Sequence, residues 1–205
     1  MKKSWRPISI GTSECWILEK IFQRRLAPYM MTNDCQFGYK SKHSATHAIQ
    51  IVRVIEKERD VHACLLDASS AFDRLSWTRI RNSFIKRRIP PVITKLILIQ
   101  LSLTKISVCN TQIFFARAGV KQGGILSGVI FSACYDILVD LIKSTRAGVL
   151  LKNADNLMTL IQILIYADDI ILFSLSPYGL KIRSDGQHNL RWPALCQVAS
   201  TLSDG

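Results

Sequence analysis

Two aspartates stand side by side in LIYADDIILFS, residues 164–174, with Leu164 and Ile165 on one flank and Ile170, Ile171, Leu172 and Phe173 on the other. The flanks call for burial and the carboxylates resist it, because an ionised carboxylate leaves water only when it is paired or bound to a metal. Asp168 and Asp169 therefore belong either at an exposed turn or at a metal site. A third carboxylate, Asp67, ends the apolar run VHACLLD (61–67), the pattern of a buried strand that delivers an acid to its tip. Three aspartates from a strand tip and a hairpin turn would form a hard-oxygen site suited to Mg²⁺ or Mn²⁺. Two such ions roughly 3.5–4 Å apart can activate a 3′-hydroxyl, stabilise the leaving oxygen and orient a triphosphate for in-line displacement. That chemistry is nucleotidyl transfer. For an isolated Asp-Asp pair, however, ordinary hairpin-turn chemistry is the commoner explanation, and Asp67 alone would serve equally as a helix N-cap or an Asx-turn residue.

The elements that must position these acids follow from periodicity. Leu18, Ile21, Phe22 and Leu26 fall at helical spacing from Ser13 to about Met31, with Glu14 and Glu19 early, Arg24 and Arg25 late and Pro28 near the end. QFGYKSKHS (36–44) reads as a loop, and Ser44 is placed to cap a second helix through Ile49, Val52 and Ile55. After the strand at 61–67, one helix is predicted from Ser76 to the IPP at 89–91 and another from Val92 to about Leu103. ISVCN and QIFFA read as two strands joined by a short turn. GVKQGG (119–124) is a loop with three glycines, ILSGVIFSACYDILVDLI is a buried helix, and LIQILIYADDIILFS is a hairpin. After Ser176 the periodic pattern decays. Strands separated by helices and closed by a hairpin predict an α+β fold, in which Asp67 can lie beside Asp168 and Asp169.

Bulk properties bound the rest. A chain of 205 residues with 48% hydrophobic content can bury a core. Lys95 and Asp136 interrupt the longest apolar runs, and MKKSWRPIS has no apolar stretch behind its lysines, so the reading is an intracellular protein with no membrane association. Six cysteines without a CxxC pair predict buried thiols rather than disulfides or structural zinc, and His43 and His47 lack a third ligand. The net charge of +12 resides wholly in residues 1–120, which hold 20 Lys/Arg against 8 Asp/Glu, while residues 121–205 hold 7 of each. A basic part beside a neutral one suits a nucleic-acid channel, although a merely soluble basic surface has the same composition.

LLDASSAFDRLSW (65–77), GVKQGGILSGVIFS (119–132) and YADD (166–169) resemble, in order and approximate spacing, the central motifs of reverse transcriptases, specifically those of non-LTR (LINE-like) retrotransposons. WRPISI (5–10) and QFGYKSKHSATHAI (36–49) resemble finger motifs of the same group. The resemblance implies an RNA-directed DNA polymerase core with the right-hand fold: fingers at about 1–60, an antiparallel palm sheet with helices on one face at 61–175, and a degenerate or frame-shifted tail at 176–205 with no thumb. It implies that Asp67, Asp168 and Asp169 are the metal-binding and catalytic triad for two Mg²⁺ or Mn²⁺ ions. Phe72 would stack under the incoming sugar and exclude a 2′-hydroxyl, Gln122 and Gly123 would lie against the nucleotide, Arg6 would contact its triphosphate, and Tyr166 would sit under the primer end. Outside that pattern Phe72 would be a core residue, Arg6 a surface cation and Tyr166 hairpin packing. Asp73 and Arg74 also belong to the pattern, with a structural ion-pair role expected.

The implied partners are an RNA template, a DNA primer and deoxynucleoside triphosphates, with no small-molecule cofactor, in the cytoplasm or nucleus. The sequence departs from the pattern at Gly128, where the family usually has proline, at Ser70, where a basic residue is common, and throughout the tail. A truncated element is expected. A catalytically inactive remnant that binds nucleic acid through its basic part is the competing reading, while an RNA-dependent RNA polymerase fits the carboxylates but not Phe72 as a sugar filter.

Overall fold

The computed structural model describes residues 8–57, 61–67, 70–108, 112–152, 156–177, 180, 196 and 197, the side chains of residues 67, 108, 112, 114, 196 and 197 excepted. The chain forms two compact units, each assembled from two stretches: residues 1–32 with 70–135, and residues 33–69 with 136–205.

The first unit is mainly helical. Its α1 (Ser13–Leu26) starts at Thr12, whose hydroxyl accepts from the Cys15 amide, and passes into a 3₁₀ turn, Ala27–Tyr29, at Pro28. Arg87 donates to the carbonyls of Tyr29 and Met31 at 3.2 and 2.8 Å, so the open end of that turn is satisfied. Ile80, Ser83 and Phe84 line the buried face of α3 (Trp77–Lys86), and Ser83 donates to the Ala133 carbonyl at 2.8 Å. Arg88, at φ 55°, ends this helix in the left-handed conformation, while the Ile89 amide returns to the Phe84 carbonyl. Pro91 then opens α4 (Pro91–Ser102) at the position where a missing N–H costs nothing. Two antiparallel strands follow, β2 (Lys105–Val108) and β3 (Gln112–Phe115), while β1 (His62–Asp67) belongs to the other unit. The predicted helices and strands of this unit are all present within a few residues of their expected bounds.

The second unit contains α2 (Ala45–Ile55), capped by the Ser44 hydroxyl as expected, and β1 (His62–Asp67). The 20-residue α5 (Ile125–Ser144) supplies residues to both units and is continuous through Gly128, so the missing proline does not interrupt it. It is the one helix among the described residues long and apolar enough to cross a membrane, but most of its apolar stretch is buried in the protein, and its Asp136 accepts from the Asn33 amide at 3.3 Å. Strands β4 (Val149–Lys152), β5 (Met158–Ile161), β6 (Ile163–Tyr166), β7 (Asp169–Ser174) and β8 (Cys196–Gln197) complete the unit. β6, β7, β1 and β8 form one antiparallel sheet in that order, and β4 pairs with β5.

The run LIQILIY, expected to be one strand of a single hairpin, divides at Gln162. The buried Gln162 amide donates to the carbonyls of Ile142 and Ala147 at 3.1 and 2.8 Å, so β5 can pair with β4 while β6 pairs with β7. An amide with good partners is stable in a core, and periodicity alone does not reveal those partners. The other correction concerns thiols: Cys64 is buried and Cys35 and Cys134 half-buried, but Cys15 is exposed on the first turn of α1.

The core of the second unit gathers Phe37, Ile55, Val61, Val149, Leu164 and Phe173. The outer edge of β6 is covered by the QFGYK segment. Ile165 donates to the Cys35 carbonyl at 2.8 Å and accepts from the Phe37 amide at 2.7 Å. Gly38 follows, and a Cβ there would lie 2.3 Å from the Ala167 nitrogen and 3.0 Å from its Cα, which are backbone atoms that cannot swing aside. Gly38→Ala is therefore expected to destabilise the protein by about 1–3 kcal/mol through overpacking, read as a lower urea midpoint at unchanged m. An unchanged midpoint would mean that this loop is not seated on the hairpin.

Candidate active site

In the second unit the doublet is placed by the hairpin. Tyr166 ends β6, Ala167 and Asp168 form a two-residue loop, and Asp169 begins β7. Ala167 has φ 57°, a left-handed value at the first loop position where hairpins of this length favour glycine. For alanine that conformation costs on the order of 1 kcal/mol, which the surrounding sheet must offset. The register then does the positioning: Asp169 faces Tyr166 on one neighbouring strand and Asp67 on the other. Directly opposed residues of antiparallel strands have Cα atoms about 4.5–5.5 Å apart. Tyr166, Asp169 and Asp67 thus form one row across three strands, with Asp168 next to it in the turn.

Asp169 and Tyr166 are exposed, whereas Ile170 and Leu172 are buried, so the strand surfaces where its acids begin. The Asp67 side chain and Arg6 lie outside the described residues. Among the described residues no group of three or more His, Cys, Asp or Glu side chains converges on one point.

Tyr39, which sequence reasoning did not single out, belongs to this neighbourhood. Burial pushes its phenol above the usual range, and the charges of Asp168 and Tyr166 push it the same way. It also has φ 58°. Its signal was its place one residue after Gly38, in a segment read as a loop and as part of a finger motif. His43 precedes the helix N-cap, its ring 5.5 Å from Phe37 and 6.4 Å from His47.

The first unit holds the other expected residues. Phe72 stacks on Phe131 of α5 with centroids 4.5 Å apart and planes 3° from parallel, and Phe131 in turn meets Tyr135 at 4.1 Å. One face of the Phe72 ring is therefore held by the core. The glycine loop lies beside the segment that carries Phe72, since Val120 donates to the Phe72 carbonyl and Gly119 to the Leu75 carbonyl, both at 2.9 Å. Gly119 has φ 82°, and a Cβ there would meet the Asp73 carbonyl oxygen at 2.6 Å, so no other residue fits. Trp77 Nε1 donates to the Gly119 carbonyl at 3.0 Å.

The far end of the loop hangs on Glu19, a carboxylate only 3% exposed. It is ion-paired with Lys121 and accepts from the Ile125 amide at 2.8 Å, at the start of α5. A buried acid between a cation and a helix N-terminus is compensated on both sides. Gln122 between these anchors accepts from the Ser9 amide through its carbonyl, at 2.9 Å, and donates from Nε2 to Asp73 Oδ2 at 3.2 Å. Asp73 thus engages the loop, and among the described residues no ion pair joins it to Arg74.

Chemically, one unit offers a row of oxygen donors at a sheet end, and the other offers a braced aromatic ring and a glycine loop carrying an amide. The family model for reverse transcriptase (RNA-dependent DNA polymerase) matches residues 1–189. A retrovirus-related Pol polyprotein from type-1 retrotransposable element R2 of Popillia japonica is 28% identical over 181 residues, covering 82% of this chain and 25% of that protein. The RNA-directed DNA polymerase from mobile element jockey of Drosophila funebris is 30% identical over 142 residues, covering 63% of this chain and 15% of its own length. The chain therefore spans a quarter or less of these relatives.

Among solved structures, apo telomerase from Candida tropicalis, truncated from its C-terminal domain, superposes with a TM-score of 0.56 at 16% identity, over 90% of this chain and 39% of that one. Telomerase from Candida albicans in complex with the TWJ fragment of telomeric RNA gives a TM-score of 0.60 at 12% identity, over 88% and 34%. Likeness at such low identity is one of fold. A family match that runs up to residue 189 makes the assignment plain: this chain belongs to the reverse transcriptase (RNA-dependent DNA polymerase) family.

Proposed function

We propose that this chain carries the nucleotidyl-transfer core of an RNA-directed DNA polymerase, extending a primer 3′-hydroxyl with deoxynucleotides on an RNA template inside the cell. The observation that carries the reading is the register in which Asp169 faces Asp67, with Asp168 adjacent in the turn. In this reading the fingers lie at about 1–60 and the palm at 61–175. The donor set fits a hard divalent cation, since carboxylate oxygens at an exposed strand end are what Mg²⁺ and Mn²⁺ take. Asp67, Asp168 and Asp169 would hold two such ions, which when bound supply activation of the 3′-hydroxyl and neutralisation of the leaving pyrophosphate.

The protein's own groups do the rest. Phe72, backed by Phe131, meets the sugar with a ring that cannot retreat, so a 2′-hydroxyl is refused by steric clash. Gln122 and Gly123 lie against the nucleotide, Arg6 takes its triphosphate, and Tyr166 supports the primer end. Affinity for the template comes from charge. The stretches 1–32 and 70–135 hold 16 Lys/Arg against 3 Asp/Glu, a balance of +13, whereas 33–69 and 136–205 hold 11 against 12, a balance of −1. A relative of the same fold, the Candida albicans telomerase, was captured with an RNA fragment, which supports RNA as the template. The competing reading, an inactive remnant that binds nucleic acid, rests on the decay of periodicity after Ser176.

Primer extension on an RNA template with Mg²⁺ separates the two. Weak extension is expected from the native chain and none from the Asp168→Ala, Asp169→Ala double variant. Equal extension by both would sink the carboxylate assignment, and RNA binding without any extension would favour the remnant. RNA affinity should fall linearly in log–log form with salt, by a slope of about −0.7 for each phosphate neutralised on a single strand. A salt-insensitive affinity would exclude the basic surface as its source. Phe72→Ala should raise ribonucleotide incorporation relative to deoxynucleotide by about tenfold or more. Unaltered sugar selectivity would return Phe72 to the core.

A further inference from the structure

The loop that carries Gln122 is held at three points, and none of them involves the Gln122 side chain. Ser9 takes the Gln122 carbonyl, while Glu19 takes Lys121 on one side and the Ile125 amide on the other. What remains free in Gln122 is its side chain, with three rotatable bonds and an amide that can present either oxygen or nitrogen to a neighbour. Asp73 meets that amide at 3.2 Å across 49 positions of sequence. The approach is fixed by the backbone, because Gly119 and Val120 fasten the loop to the chain on either side of Asp73.

We propose that Asp73 is a positioning residue for Gln122, fixing which atom of the amide faces the incoming nucleotide. The inference rests on the nucleotide contact assigned to Gln122 above. An ionised carboxylate can only accept, so it selects the amide nitrogen and turns the amide oxygen the other way. The nucleotide then meets an acceptor in a fixed orientation together with the second N–H, rather than an amide divided between two flips. Asp73 lies one residue beyond the sugar gate Phe72, so a single turn of chain would set both the gate and the orientation of the amide. This role differs from the ion pair expected for the Asp73-Arg74 dipeptide.

The test is a fluorescence titration of the full chain with mant-dATP and Mg²⁺, run on the native protein, Gln122→Ala, Asp73→Asn and the double variant. Asp73→Asn keeps the shape but can donate as well as accept, so it removes the selection without opening space. The melting temperature of each variant is recorded beside its affinity. Asp73→Asn should weaken mant-dATP by about three- to tenfold at an unchanged melting temperature, Gln122→Ala by a similar factor, and the double variant by no more than Gln122→Ala alone. Losses that multiply in the double variant, or an Asp73→Asn chain that binds as the native one does while Gln122→Ala is impaired, would overturn the role of Asp73 and leave that of Gln122 standing. If Gln122→Ala binds like the native chain, or the native chain does not bind mant-dATP, the reading of Gln122 falls and this inference with it.

Discussion

Strand β7 is the member on which the second unit depends, because it must satisfy two demands of opposite kind within six residues. Ile170, Leu172 and Phe173 are buried, and Asp169 is exposed. Burying the first group stabilises the sheet by roughly 1.5–3 kcal/mol per side chain, and burying an unpaired carboxylate would cancel that several times over. Both demands are met only if the strand begins at its acid and enters the core one residue later. Pairing in register on both sides then fixes Asp169 against Tyr166 and Asp67. A slip of one position would exchange the two faces of the strand and unpair Asp169 from Asp67, so the same pairing that stabilises the sheet also aligns its acids.

In the first unit the corresponding constraint is a buried charge. Glu19 sits in α1, about a hundred positions before the loop it holds, and it resolves the cost of its own burial by joining Lys121 to the head of α5. Removing either partner would leave an uncompensated carboxylate in the core, so the glycine loop has little freedom to wander. The glycines permit the path of this loop, and the acid makes it the preferred one.

Much of this was legible in the sequence, for reasons that differ by element. Apolar spacing located α1 and α2, a long run of apolar and small residues located the buried α5, and the run ending at Asp67 gave β1 with its acid at the tip. The site residues that carry family motifs were legible as motifs. The split at Gln162, the partnership of Asp73 with Gln122 and the nearness of Tyr39 to Asp168 were not, since each depends on a partner tens of residues away that no local pattern encodes. The interleaving of the two units was hidden for the same reason. Charge read by halves of the chain gave a basic part and a neutral part, but the segregation is sharper by unit, which only the fold defines.

The seal on β6 has a consequence for how the protein is made. Both backbone groups of Ile165 are taken by Cys35 and Phe37, residues about 130 positions earlier in the chain. During synthesis the β6–β7 hairpin can zip locally within microseconds, whereas the earlier segment has waited for most of the chain to emerge before it has an edge to cover. Until that closure the edge of β6 is an open template rich in isoleucine and leucine, the kind of surface on which nascent chains stick to one another. The step that completes the floor beneath Ala167 and Asp168 is thus also the step that closes this edge to other chains.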